Sequence, residues 1–130
     1  MKALAEVSDI ADAYADKGVD YVLIYITEAH PTDGWNPQWA PEQFQGSVAH
    51  ARSTTERLQS ARKFVDSLGL TAPVLVDTIA DELENRYEAR PERLYVVQEG
   101  KVLWRCGLGP FEYDAPGLAA FLESHVGPAS

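Results

Sequence analysis

The run Tyr21-Val-Leu-Ile-Tyr-Ile-Thr27 constrains this chain more than any other stretch. Its β-branched and aromatic residues leave no polar position for a helix to turn toward water, and the run is too short for a buried helix. It therefore reads as a strand covered on both faces. It then breaks into Glu28-Ala-His30-Pro-Thr-Asp33-Gly-Trp35. In open α/β sheets ligands gather outside the carboxyl ends of such strands, so Glu28, His30 and Asp33 stand where a substrate would sit. The same residues also fit a plainer alternative, a solvated loop with Asp33-Gly34 as its turn.

Ahead of the strand, Leu4, Val7, Ile10, Ala11 and Tyr14 recur at helical spacing among acids, and Lys17-Gly18 closes the pattern, which predicts a helix over residues 2–17. After it, Pro31 to Gly46 holds three prolines, two glycines and two tryptophans, the composition of a long loop. Trp35, Trp39 and Phe44 either pack this loop down or wall a pocket. Ser53-Thr-Thr-Glu56 is a capping-box pattern, and the helix it opens has Leu58, Ala61, Phe64, Val65 and Leu68 as its buried face and Gly69 as its end. Pro73-Val-Leu-Val-Asp77 predicts a second buried strand, and Asp81 to Tyr87 a short helix. Leu94–Gln98 and Lys101–Cys106 flank Glu99-Gly100 as a hairpin, and Asp114 caps a last helix that tolerates Pro116 in its first turn. Helices alternating with strands predict an α/β fold, a mixed sheet flanked by helices in a single domain over residues 1–130, and the thioredoxin-like fold ends in the same hairpin and helix.

Composition removes several classes of function. A formal net charge of −9 disfavours nucleic acid and anionic membrane surfaces, which are bound through clustered cations. No apolar run approaches the roughly 20 residues that span a bilayer. Glu6, Asp9 and Asp12 near the start fit no secretory signal, so the expected location is cytoplasmic. A single cysteine, Cys106, excludes an intrachain disulfide and a cysteine-rich zinc site, and in a hairpin strand it reads as a buried hydrophobe. His30, His50 and His125 are scattered at spacings that match no metal-ligand pattern, so no metal is expected.

Several blocks together resemble the iodothyronine deiodinases and their bacterial relatives. They are Tyr25-Ile-Thr-Glu-Ala-His30-Pro-Thr-Asp-Gly-Trp35, Thr55-Glu-Arg57 with Ala61, Pro73-Val-Leu-Val-Asp77-Thr, Pro91-Glu-Arg-Leu-Tyr-Val-Val-Gln-Glu-Gly100 and Gly109-Pro-Phe-Glu-Tyr113. The resemblance implies a thioredoxin-like, peroxiredoxin-related domain that reductively removes iodide from iodothyronines or another halogenated aromatic, with a selenocysteine or cysteine as nucleophile. It makes Glu28 and His30 the catalytic pair and Arg93 the contact to substrate. His50 resembles a second family histidine, one residue further from Arg57 than the family spacing, and Trp35 is a further substrate-binding candidate. The chemistry suits these residue types: a histidine held by a carboxylate can deliver a proton to the carbon that iodine leaves, and an arginine fork fits a substrate carboxylate. Arg93 equally fits a structural ion pair.

The resemblance also implies a gap. Counted back from Glu28, the family nucleophile falls just upstream of Met1, so the central strand and redox loop are expected to precede residue 1, with a UGA codon read as stop as the proposed cause. No nucleophile is expected in the chain itself, and no cofactor beyond a thiol or thioredoxin-type reductant as co-substrate. The other implied partners are a small-molecule substrate and, from family habit, a second copy in a homodimer. Two other readings stay open, a non-catalytic thioredoxin-like binding module and a thiol peroxidase of peroxiredoxin type.

Overall fold

The computed structural model describes residues 2–28, 49–109 and 111–129. The expectations for His30, Trp35 and the Pro31–Gly46 loop lie outside the described residues. The chain divides into two compact units, one of Met1–Tyr21 with Glu92–Ser130 and the other of Val22–Pro91.

In the first unit, α1 spans Lys2–Tyr14 and tightens into a 3-10 turn, Ala15–Lys17, before Gly18 ends it at φ 78°. That left-handed exit is the glycine stop anticipated from Lys17-Gly18. Strands β3 (Tyr95–Gln98) and β4 (Lys101–Arg105) pair antiparallel, with Gln98 opposite Lys101 and a bulge between Val96 and Val97. Glu99 and Gly100 both take positive φ, as the two-residue turn that matches strand twist demands. Helix α4 (Ala115–Val126) starts where Asp114 accepts from the Gly117 N–H at 2.9 Å. Its Ala115, Leu118 and Leu122 form one core with Val7 and Tyr14 of α1, and Trp104 and Phe121 pack against it.

In the second unit, β1 (Leu23–Tyr25) leads through α2 (Thr54–Leu68) to β2 (Val74–Val76), followed by the short α3 (Glu82–Tyr87). The two strands are parallel, with Leu23, Ile24 and Tyr25 opposite Val74, Leu75 and Val76. Ser53 accepts from the Glu56 N–H as the capping box requires, while Glu56 reaches back to the Arg52 N–H, one residue before the cap. Gly69, at φ 61°, sends its N–H to the Val65 carbonyl and ends α2.

Two expectations are corrected here. The strand foreseen over residues 21–27 is confined to Leu23–Tyr25, and among the described residues of its unit it is covered on one face. Alternate residues of a strand point to opposite sides, and only the Tyr25 side meets α2, where its ring lies 5.7 Å from that of Phe64. The paired Ile24 and Leu75 on the other side are 36% and 55% exposed. The buried face of α2 is likewise rotated from the expected one. Arg57 and Ala61 are buried, whereas Leu58 and Leu68 lie exposed. A parallel pair joined through a helix, an antiparallel hairpin and a closing helix are the parts of a thioredoxin-like α/β fold.

Candidate functional site

Beyond the carboxyl ends of β1 and β2 the second unit gathers its buried polar side chains: Thr27, Glu28, Arg57, Asp77 and Glu84. Strand register explains the gathering. Asp77 follows β2 and donates its N–H to the Tyr25 carbonyl at 2.9 Å, so Thr27, Glu28 and the Asp77–Asp81 turn leave the ladder at the same level. Asp77 then organises the turn: one carboxylate oxygen accepts from the N–H groups of Thr78 and Leu83, the other from that of Glu84, which satisfies two first-turn donors of α3.

Arg57 enters this cluster from α2 and is only 1% exposed. Its Nη1 donates to the Thr78 carbonyl at 2.6 Å and pairs with Asp81 at 2.8 Å, while Nη2 donates to the Thr27 hydroxyl at 3.1 Å. The Thr27 hydroxyl in turn donates a hydrogen bond to Asp81 at 2.6 Å, which closes a ring of three side chains. Burial pushes the Asp81 carboxyl up, but the hydrogen bonds from Thr27 and Arg57 and the charges of Arg57 and Arg90 outweigh it and hold the group below its ordinary value. The Asp81 backbone sits in the left-handed region, at φ 58°, which aspartate tolerates better than most residues.

Glu28 is 8% exposed. The Tyr25 hydroxyl donates to its Oε1 at 3.4 Å, and its Oε2 has no hydrogen-bond partner among the described residues. A buried carboxylate oxygen left unpaired is costly, and such sites are worth explaining by function. The phenol of Tyr25 is pushed up to about 12, first by burial and then by the charge and hydrogen bond of Glu28, with Arg57 pulling the other way. Tyr25 is thus a bound donor to Glu28 across the ordinary pH range.

Of the residues singled out from sequence, Glu28 stands in this cluster, and His30 and Trp35 lie outside the described residues. His50 is exposed in the coil that leads into α2. Arg93 belongs to the first unit, where its Nε donates to the Cys106 carbonyl at 2.8 Å and its guanidinium lies 5.6 Å from the centre of the Tyr95 ring. Cys106 is 5% exposed, and its Sγ accepts from the Leu94 N–H at 3.2 Å. Among the described residues no group of three or more His, Cys, Asp and Glu is gathered as a metal would need, and no helix is long and apolar enough to cross a membrane.

Sequence reasoning missed the roles of Arg57, Thr27 and Asp81. A signal for Arg57 exists: it lies four residues before Ala61, seven before Phe64 and eight before Val65, on the buried stripe of α2. An arginine on an apolar stripe announces a buried partner, since an unpaired buried charge is prohibitive.

The family model for iodothyronine deiodinase matches residues 2–126. A thyroxine 5-deiodinase of Sus scrofa is 37% identical over 109 residues, which is 84% of this chain and 34% of that protein. The thyroxine 5-deiodinase of Homo sapiens shows the same identity and coverage. A type I iodothyronine deiodinase of Xenopus laevis is 35% identical over 104 residues, 80% of this chain and 39% of that protein. The chain therefore spans between 34% and 39% of the length of these relatives. Matched from its first helix to its last, with Glu28 buried at the end of β1, the chain belongs to the iodothyronine deiodinase family.

Proposed function

We propose that these residues form part of a reductive dehalogenase acting on iodinated aromatic substrates of the iodothyronine kind. In this reading a selenolate or thiolate attacks the iodine, the aryl carbon–iodine bond breaks, and the carbon takes a proton as the chalcogen–iodine bond forms. A thiol then attacks the chalcogen, iodide leaves, and a second thiol restores the nucleophile as a disulfide departs. His30 delivers the proton to carbon and Glu28 holds and recharges it. Arg93 recognises the substrate carboxylate, and Trp35 and His50 contact the substrate.

The observation that carries the reading is Glu28: a buried carboxylate just beyond a parallel strand's carboxyl end, with one oxygen unpartnered among the described residues, in the Glu-Ala-His block through which the chain resembles the family. A carboxylate oxygen of this kind can accept a hydrogen bond from an imidazole. Cys106 is buried and hydrogen-bonded, which does not suit it to be the nucleophile.

The test is to join these residues in frame to a strand and redox loop that supply a selenocysteine or cysteine, and to follow iodide release from an iodothyronine with a dithiol present. The proposal expects release that His30→Ala abolishes. Substrate binding without release identifies a binding module, and thiol-dependent peroxide turnover without release identifies a peroxidase; either result overturns the proposal.

A further inference from the structure

Thr27 is the residue immediately before Glu28, and it is held on two sides. Its hydroxyl accepts from Arg57 and donates to Asp81, and Arg57 is itself fixed to the Thr78 carbonyl and to Asp81. Thr54, at the start of α2, accepts from the Ile79 N–H at 3.1 Å, so α2 grips the same turn at a second point. By contrast Glu28 has one weak bond of its own, to Tyr25 at 3.4 Å, and no other among the described residues. A side chain so lightly held takes its position from its backbone, and that backbone is set by its neighbour.

From this we infer that Arg57, Thr27 and Asp81 are a positioning clamp for Glu28, fixing the carboxylate against Tyr25 with one oxygen unpartnered among the described residues. Arg57 touches no reacting atom in this scheme; it acts through Thr27. Arginine is suited to the task because its planar fork can satisfy a carbonyl, a carboxylate and a hydroxyl from one rigid group. The three contacts also join the turn after β2 to the end of β1, so any movement of Asp81 would be passed to Glu28 through one hydroxyl. The functional weight of the clamp rests on the reading of Glu28 as the catalytic carboxylate; the clamp itself does not.

Tyr25 lies in hydrogen-bond reach of Glu28 and reports its position: burial does most to hold the phenol protonated, and the charge and hydrogen bond of Glu28 add to it. The experiment replaces the six tyrosines of the chain by 3-fluorotyrosine, which titrates at lower pH, and follows each ring by 19F NMR, with Tyr25→Phe assigning the signal. Thr27→Val removes the hydroxyl without changing charge, Thr27→Ser keeps it, and Lys63→Gly destabilises α2 from its exposed face. The Tyr25 midpoint is expected to fall by roughly one pH unit, a tenfold change in proton affinity, in Thr27→Val and to stay in place in Thr27→Ser and Lys63→Gly. Thr27→Ala, which cannot overfill the site, carries the same expectation if the valine variant does not fold. A midpoint unchanged in the valine or alanine variant, with melting temperature alone reduced, overturns the clamp. In the nucleophile-bearing form, Thr27→Val should also slow iodide release with substrate affinity unchanged. If the Tyr25 midpoint moves and release does not, the clamp stands and the catalytic assignment of Glu28 falls.

Discussion

At the scale of the residue, the asymmetry between Arg57 and Asp81 sets what substitutions do. Asp81 is 31% exposed on its side chain, so surface exposure alone would forecast a mild effect. Its partner is buried, however, and Asp81→Asn leaves the guanidinium without its counter-charge while preserving shape and the left-handed backbone. The expected loss is about 3 kcal/mol, the lower end for a broken buried pair, read from urea unfolding at neutral pH. Exposed Glu82, one residue on, should cost within about 0.5 kcal/mol when changed to alanine. The pH dependence follows the direction of the shift. The Asp81 carboxyl is held below its ordinary value in the folded chain, so its contribution is complete above about pH 4 and is lost as pH falls through the lower, folded value. The urea midpoint of the wild type should therefore drop on acidification by more than that of Asp81→Asn. Glu28 was legible from sequence because it ends an apolar run. The ring around it was not, because hydrogen bonds between Thr27, Arg57 and Asp81 depend on which turn of α2 faces which strand.

At the scale of the element, local chemistry was legible and coverage was not. The Ser53 cap, the Gly69 stop, the Glu99-Gly100 turn and the Asp114 cap each rest on one or two residues with a specific geometric preference, and all stand where their residues imply. Burial of β1 depends on what lies over it, and an unbroken apolar run cannot tell one covered face from two. A substitution separates the cases. Leu75→Thr falls on the open face and is expected to change stability by less than about 1 kcal/mol, whereas full coverage would bring the 2–5 kcal/mol typical of buried leucine truncation. Ser53→Ala removes the acceptor for the Glu56 N–H and should cost about 1 kcal/mol, measurable by thermal unfolding. In β3 and its approach, Arg93 already spends Nε on the Cys106 carbonyl, which aims the outer nitrogens of the fork. If those nitrogens bind a substrate carboxylate, Arg93→Lys raises KM on the order of tenfold with kcat little changed.

At the scale of the whole molecule, the net charge of −9 and the family match over residues 2–126 are statements about all the chain, and both were available from sequence. The division into units was not, since no linker composition marks the boundaries near Tyr21 and Pro91. Of the residues proposed to act, Glu28 lies in one unit and Arg93 in the other. The central claim is that Glu28 serves the proton transfer of a reductive deiodination. Its most direct test is the rate of iodide release from an iodothyronine by the nucleophile-bearing form, compared with its Glu28→Gln variant, which keeps the size of the side chain and the acceptor for Tyr25. A loss of about 10²–10⁴-fold in kcat with the melting temperature nearly unchanged is the predicted result. Release at the wild-type rate from the glutamine variant would contradict it.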